Sequence, residues 1–417
     1  MSKENIVVGL DVGTCYIRTI VAKIKADDTK PQLIGVGKAP SFGLRKGIVV
    51  DIEDTIKSIS ESIQEAERSS GVPIEKAYVS LGGNHIETRV SKGVVAVSRA
   101  DGEVSREDVS RAISAASAIS IAPNREIIHV IPRGFSVDSQ SGIKDPIGMN
   151  GVRLEVDALI IEGATPFIKN LTKCINEAGI EIEGMVLAPL AASCSSLSKR
   201  QKELGVLALD LGGGTAGLTI FEEGDIIHSC VLPVGSAHIT KDIAIGLRSD
   251  IDLAEKIKLE YGSALVSEIN KKDIVDLAKL GSNGETGIVA RSEVVGIIEA
   301  RLSEIMELVN KELKKVDRQG LLPAGVVLLG GGAKVPGLVD LAKAELKLPV
   351  QVGFPLELDG PIDDIDDPSF ATAVGLILWS IDKHNQDQDS GYKISLPRIS
   401  LLPMVGKVKE WLKKFLP

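Results

Sequence analysis

The chain has 417 residues and a formal net charge of −9, a balance that excludes a body built to neutralise nucleic-acid phosphates and makes any attraction to anionic surfaces a local matter. Its 44% hydrophobic content and mean hydropathy of +0.15 supply more than one core at this length, so a multidomain globular protein is expected. Aromatics make up only 3% against 42 glycines, a composition of buried parallel strands and tight turns that points to the α/β class.

At the start of the chain, Ile6 to Leu10 predicts an apolar strand, Asp11-Val12-Gly13-Thr14 a turn, and Ile17 to Ile24 a returning strand. Together these make a β-hairpin with an acidic tip. Asp54 to Ser69 has the spacing of an amphipathic helix, and Ala77 to Leu81 reads as a strand closing on Gly82-Gly83. From Asn84 to about Glu162 the texture changes to strand segments at Val94 to Val97, Ile127 to Ile131 and Leu154 to Ile161. They surround one helix opened by Ser105 with Asp108 three residues on, a capping pattern, and the stretch is expected to be an inserted subdomain.

The first device then returns as Val206 to Leu209, Asp210-Leu211-Gly212-Gly213-Gly214-Thr215, and Leu218 to Phe221, so an internal duplication is expected. Leu253 to Tyr261 and Ser292 to Val316 are helical by apolar spacing, and the second is heavily charged on one side. They would form a second appended subdomain. Val326 to Leu329 is a bare apolar strand, followed by Gly330-Gly331-Gly332-Ala333 and a helix beginning near Pro336. The polar run Lys383 to Ser390 buries nothing and reads as a linker.

From Met404 to Pro417 the apolar residues Val405, Val408, Trp411, Leu412, Phe415 and Leu416 fall on one arc of a helix, while Lys407, Lys409, Glu410, Lys413 and Lys414 fill the other. A basic polar face on an acidic protein, with Trp411 and Phe415 suited to the headgroup boundary, predicts a helix lying in a membrane interface. The alternative is a helix docked on the body or in a partner's groove. The scattered Cys15, Cys174, Cys194 and Cys230 fit neither a disulfide framework nor a zinc spacing, and a reducing cytoplasm is expected. His85, His129, His228 and His238 show no ligand spacing and are expected to be structural. There is no signal-peptide pattern and no apolar run long enough to span a bilayer.

A strand ending in Asp-x-Gly-Thr offers backbone N–H groups and a hydroxyl to a phosphate, and its aspartate can hold the water shell of Mg2+. Two such loops, with Asp11, Gly13, Thr14 and Cys15 on one and Asp210, Gly212, Gly213, Gly214 and Thr215 on the other, suggest opposed clamps on a polyphosphate with metal between them. Gly330, Gly331, Gly332 and Ala333 would let a flat purine approach the backbone. Glu255 and Lys258 share a helical face at i, i+3, from which they would reach ribose and base. Taken alone, that last pair describes a solvated ion-pair face.

Asp-x-Gly-Thr, the proline-containing helix Leu187-Ala188-Pro189-Leu190-Ala191-Ala192, Asp-x-Gly-Gly-Gly-Thr and Gly-Gly-Gly-Ala, in this order, resemble the actin, sugar-kinase and DnaK-type superfamily. Within it the chain resembles the FtsA family of bacterial division proteins. That narrower likeness rests on Lys46-Gly47-Ile48-Val49-Val50-Asp51, Ser80-Leu81-Gly82-Gly83-Asn84-His85, Gly142-Ile143-Lys144-Asp145-Pro146-Ile147-Gly148-Met149, Ala244 to Leu247 with Glu255-Lys256-Ile257-Lys258, Tyr261-Gly262, and the tail. It runs over essentially the whole chain.

The resemblance implies an actin-like two-lobed fold that binds ATP with Mg2+, polymerises head to tail, binds the C-terminal peptide of the tubulin-like FtsZ, and anchors it to the cytoplasmic face of the cell membrane at the division site, where further division proteins are recruited. It divides the chain into a first nucleotide-binding core over 1–83 and 163–196, an inserted subdomain over 84–162, a second core over 197–235 and 325–382, and its outer subdomain over 236–324. A linker over 383–403 and a membrane-targeting helix over 404–417 follow. By analogy Glu299, Arg301 and Glu304 would face FtsZ. Ala188 and Gly217 depart from the superfamily pattern, where an acidic or amide side chain orients the attacking water and a second aspartate is frequent. ATP binding with slow or negligible turnover is therefore expected. The competing readings are a PilM-type pilus assembly protein and a small-molecule kinase of the same superfamily.

Overall fold

The computed structural model describes residues 5–24, 30–280, 287–356, 358–360 and 365–389. The first lobe opens with β1 (Asn5–Val12), β2 (Tyr16–Ile24) and β3 (Gln32–Pro40), followed by α1 (Ile52–Ser70) and β4 (Lys76–Leu81). A separate unit interrupts it: β5 (Glu87–Ala96), α2 (Arg106–Ser117), β6 (Arg125–Val137), β7 (Gln140–Ile143) and β8 (Arg153–Ala164). The chain returns through α3 (Thr165–Glu177) and β9 (Glu181–Leu187), and α4 (Ala188–Ser196) leads it into the second lobe. There β10 (Val206–Leu211), β11 (Ala216–Glu222) and β12 (Asp225–Leu232) precede the helices α5 (Ser236–Leu247), α6 (Ile251–Tyr261) and α7 (Arg291–Lys315). The lobe closes with β13 (Val326–Leu329), α8 (Leu338–Leu346), β14 (Val350–Val352) and α9 (Ala371–Asp389).

The duplication read from the hairpins extends to whole sheets. The first lobe's strands lie in the order β9-β4-β1-β2-β3, and the second lobe's, read the same way, in the order β14-β13-β10-β11-β12. In each, a three-stranded antiparallel meander carries two further strands in parallel on its first strand. Both sheets are covered on both faces, which is why β1 and β10 read as unbroken apolar runs rather than alternating ones. Ile59, Ile63, Ile168 and Ile175 from α1 and α3 cover one face of the first sheet, and Phe370, Val374 and Ile377 cover the other. In the second lobe, Ile239, Ile257, Ile298 and Leu338 from the outer helices and α8 cover one face, and Ala192 and Ala371 of the two inner helices reach the other.

α4 and α9 thus pass between the lobes and against each other. Their crossing is so close that a Cβ placed on Gly375 would lie 1.8 Å from the Ala191 carbonyl oxygen. The small side chains of Ala188-Pro189-Leu190-Ala191-Ala192 and Ala371-Thr372-Ala373-Val374-Gly375 are what this packing requires.

The interrupting unit has its own four-stranded sheet, in the order β5-β8-β6-β7, and its own core around Leu154, Val156, Phe135 and Ala112. Ser105 caps α2 through a full capping box with Asp108. Burial raises the Asp108 carboxyl, but hydrogen bonds from Ser105, Ser98 and Arg111 outweigh that and hold it well below the usual carboxylate range.

Two local features differ from the sequence reading. The stretch expected to begin a linker at Lys383 continues as helix to residue 389, because extending an established helix adds a hydrogen bond per residue without needing burial. After β13 a 3₁₀ turn (Gly331–Lys334) intervenes, and α8 begins at Leu338, after Pro336 and Gly337. Residues 404–417, where the amphipathic helix is expected, lie outside the described residues.

Candidate functional site

The tips of the two hairpins meet. Asp11, near the end of β1, is buried; Ser80 Oγ donates to its Oδ1 at 2.8 Å and accepts from the Val12 N–H at 2.9 Å. Asp210 holds the equivalent place on β10, and Thr372 Oγ1, in the first turn of α9, donates to its Oδ2 at 3.2 Å. A Cβ on Gly213 would lie 2.2 Å from Cys15 Sγ, and one on Gly214 would lie 2.7 Å from Thr14 Oγ1. Bare backbone at the second tip is therefore what lets the tips touch.

Gly212 closes the second tip by donating to the Thr215 carbonyl at 2.9 Å, and the N–H groups of Ser236 and Ala237 at the start of α5 bond the carbonyls of Gly212 and Gly213 at 2.9 and 2.8 Å. The first helix of the outer subdomain is thereby tied to the second loop. Thr14 in turn accepts from the Gly47 N–H at 3.2 Å, which joins Lys46-Gly47 to the first loop.

The electrostatics of the site come from the two aspartates. Burial raises the Asp11 carboxyl, opposed by Arg18 and the Ser80 hydrogen bond. Asp210 is pushed up to about 6, first by burial and then by the Asp11 charge, with Thr372 and Arg18 opposing. Two carboxylates that disfavour each other's ionisation in a low-dielectric site are the donor set that a hydrated divalent cation stabilises. The residues present therefore fit Mg2+ held through water.

The third loop abuts this pair. Gly330 has φ +77°, and a Cβ there would stand 2.4 Å from Asp210 Oδ1. Gly332 and Ala333 are buried, whereas Gly331 is exposed, with only Ser369 Cβ within 4.0 Å of its place for a side chain. Of the four residues expected to face a purine, Gly331 is the one left open, and Gly330 and Gly332 are glycines because the loop packs against the second hairpin.

Lys258 Nζ contacts Glu255 Oε2 at 2.6 Å and Thr240 Oγ1 at 2.9 Å, and Thr240 also donates to Glu255. This trio borders the same tips: Lys258 and Glu255 act in opposite senses on the thiol of Cys15, an exposed residue at the first tip. Gly217 packs on the ring of Pro189, with 3.0 Å from its would-be Cβ to Pro189 Cβ.

Thr372 and Arg18 lie outside every motif the sequence offers, and Ser80 enters only as the first residue of the Ser80–His85 stretch, with no role at Asp11. Ser80 carries a weak signal, standing beside Gly82-Gly83 at the end of a strand parallel to β1. Thr372 carries none, because only the return of α9 across the lobes brings it to Asp210.

The trio expected to face a partner lies on α7. Glu299 accepts from the Val266 N–H at 2.8 Å, and Arg301 forms a two-armed bond to Asp242 at 2.5 and 2.9 Å while also meeting Glu304. Glu304 is the more exposed end of that pair. Among the histidines, His85 Nδ1 accepts from the Ala164 N–H at 3.2 Å and its ring is held near 4 by burial and Arg125. His129 Nε2 accepts from the Leu187 N–H at 3.1 Å, and His238 bonds the Gly235 backbone. Among the described residues no helix is long and apolar enough to cross a membrane.

Comparison with known proteins gives concordant results. The family model described as "Cell division protein FtsA" matches residues 207–375, and that described as "SHS2 domain inserted in FTSA" matches residues 83–162. A relative from Bacillus subtilis (strain 168), "Cell division protein FtsA", is 40% identical over 380 residues, 91% of this chain and 84% of its own. Among solved structures, the PilM-PilN type IV pilus biogenesis complex superposes with a TM-score of 0.65 at 17% identity, over 90% of this chain and 98% of that one. MreB5 of Spiroplasma citri bound to ADP superposes with a TM-score of 0.53 at 15% identity, over 92% and 99%. The fold is the actin-like one.

Proposed function

The chain belongs to the FtsA family of cell division proteins, and we propose that it is an ATP-binding, polymerising scaffold that tethers FtsZ to the cytoplasmic face of the membrane at the division site. The observation that carries the nucleotide half of this reading is the meeting of the two Asp-x-Gly tips, with Asp11 and Asp210 raising each other's cost of ionisation. Mg2+ supplies the positive charge that lets both carboxylates stay ionised beside a polyphosphate. The chain's own residues do the rest. Backbone N–H groups and hydroxyls at Thr14, Cys15, Gly213, Gly214 and Thr215 cradle the phosphates, Gly331 lies bare for the base, and Glu255 and Lys258 border the sugar. Ser80 and Thr372 fix the two carboxylates in place.

Hydrolysis is slow in this reading. Ala188 has no group to orient water, and Gly217, which lies against Pro189, carries no second acid. The peptide of FtsZ meets the outer subdomain on α7, where Glu304 is exposed and Arg301 is oriented by Asp242. The terminal segment 404–417 holds the protein on anionic lipid as an amphipathic helix. Each lysine there is worth on the order of 1 kcal/mol, so one copy binds reversibly while a head-to-tail filament with many anchors stays attached. Assembly and attachment are thereby coupled, and further division proteins are recruited to the polymer.

The test is sedimentation of the full chain and of a version ending at Ser400 with anionic vesicles, with and without ATP and Mg2+. Pelleting of the full chain alone, strengthened by ATP and weakened by salt, is the expected result. Equal pelleting of the shortened version, or of neither, overturns the reading.

A further inference from the structure

Away from the nucleotide tips, three side chains of different chemistry converge where the outer edge of the second sheet meets α7. His228 and Cys230 stand two apart on β12, so they project from one face of the strand, toward the core shared with α7. Glu312 comes from the last turns of that helix. His228 Nε2 lies 3.0 Å from Glu312 Oε2, and the imidazole, thiol and carboxylate ligand atoms all lie within 4.8 Å of one another. Burial pushes the Cys230 thiol up, and Glu312 adds to that both as a charge and as the acceptor of its hydrogen bond. The other oxygen of Glu312 is fixed by Lys315 Nζ at 2.7 Å.

We propose that His228, Cys230 and Glu312 form a site for a zinc-class divalent cation that clamps β12 to α7. One nitrogen, one sulfur and one oxygen donor are the mixture that suits a borderline-soft ion, and unsuited to Mg2+ or Ca2+, which take oxygen ligands. Ligand atoms around tetrahedral zinc, with bonds of about 2.0–2.3 Å, stand about 3.3–3.8 Å apart. The cluster is within about an ångström of that spacing, a difference of the size that side-chain torsions span. Water takes the fourth position. Binding replaces the Cys230 S–H bond with a metal–thiolate bond, its proton going to solvent, and breaks the N–H hydrogen bond that His228 Nε2 donates to Glu312 Oε2: the ring takes the tautomer with its proton on Nδ1, which frees the Nε2 lone pair to ligate. Thiolate and carboxylate together balance the ion's charge, and Lys315 stays on the carboxylate oxygen that does not ligate. Sequence spacing gives only His-x-Cys on a strand; the third ligand is supplied by a helix far along the chain, which is why no zinc pattern is visible in the sequence.

The experiment uses the full chain, stripped with a chelator and titrated with Co2+ and then Zn2+. One equivalent of Co2+ should produce the near-ultraviolet thiolate-to-cobalt charge-transfer band, Zn2+ should bleach it, and affinity should rise with pH as the thiol proton is displaced. Cys230→Ser should abolish the band, and Glu312→Gln should weaken Zn2+ binding at least about tenfold, whereas Cys194→Ser changes neither. In the unsubstituted protein Zn2+ should also slow alkylation of Cys230, read by mass spectrometry, a measurement that needs no variant to fold. Absence of the band together with unchanged alkylation, or a band that survives Cys230→Ser, overturns the proposal and leaves a hydrogen-bonded cluster.

Discussion

The sharpest quantitative consequence of the site concerns Asp210. Moving a carboxylic acid from its ordinary 3.8 to about 6 costs its charged form about 3 kcal/mol. Asp210 keeps some solvent contact, so the net effect on stability is taken as about 1–3 kcal/mol. The folded protein releases this proton near 6 and the unfolded chain near 3.8, so between those values the folded state holds more protons. The stability that this group contributes is full below about 3.8 and is lost as the pH rises through about 6. Asp11 shifts in the same direction, so the two titrate as a pair. Without nucleotide, Asp210→Asn is therefore expected to be more stable than the parent at neutral pH by about 1–3 kcal/mol, with a flatter pH dependence of its melting temperature across that window. With Mg-ATP at a thousandfold excess over Kd the order reverses: the parent gains about 4.1 kcal/mol, and the variant gains much less. Scanning calorimetry at several pH values, with and without Mg-ATP, reads all of this. A variant that is less stable than the parent without ligand, or that keeps the parent's pH slope, refutes the argument that the two carboxylates are held at a cost for the sake of a cation.

Two further substitutions separate packing from ligand contact. Gly330→Ala should destabilise the fold by at least about 2 kcal/mol, from its left-handed backbone and the approach to Asp210, whereas Gly331→Ala should leave the melting temperature nearly unchanged and weaken nucleotide binding, checked by melting curves and fluorescent-ATP titration. Gly375→Ala, which would drive a methyl into the Ala191 carbonyl, should cost at least about 3 kcal/mol and force the lobes apart, read as a lowered melting temperature and an increased radius of gyration in solution scattering.

Much of this was legible in the sequence, because the features concerned are local. The hairpins announce themselves through apolar runs closed by Asp-x-Gly, α2 through its cap, and α7 through apolar spacing sustained over many turns. What was not legible depends on chain segments meeting from far apart. Nothing near Thr372 predicts that it donates to Asp210, and nothing in the charge pattern of α7 predicts that Glu299 and Arg301 serve a neighbouring backbone N–H and Asp242. The helical continuation past Lys383 is invisible in the polarity of that stretch, because a helix already nucleated by buried residues such as Val374 and Ile377 extends at little cost.

The duplicated hairpins are equivalent in backbone and unequal in use. Asp11 on β1 faces Arg18 across its hairpin, and Asp210 on β10 faces Gly217 at the same relative place. Arg18 lowers the cost of ionising both aspartates, so one hairpin supplies the resident positive charge for the pair. At the matching position the second hairpin gives up its side chain so that Pro189 of the helix joining the lobes can lie against it. An aspartate placed at 217 to restore the superfamily pattern would meet the Pro189 ring at about 3 Å, and the ring, held on a helix that packs on α9 at Gly375, would have to give by a few tenths of an ångström. The same close packing that links the tips to the lobe-joining helices thus makes a side chain at 217 tight, and Gly217→Asp is expected to lower the melting temperature modestly unless Pro189 gives by a few tenths of an ångström.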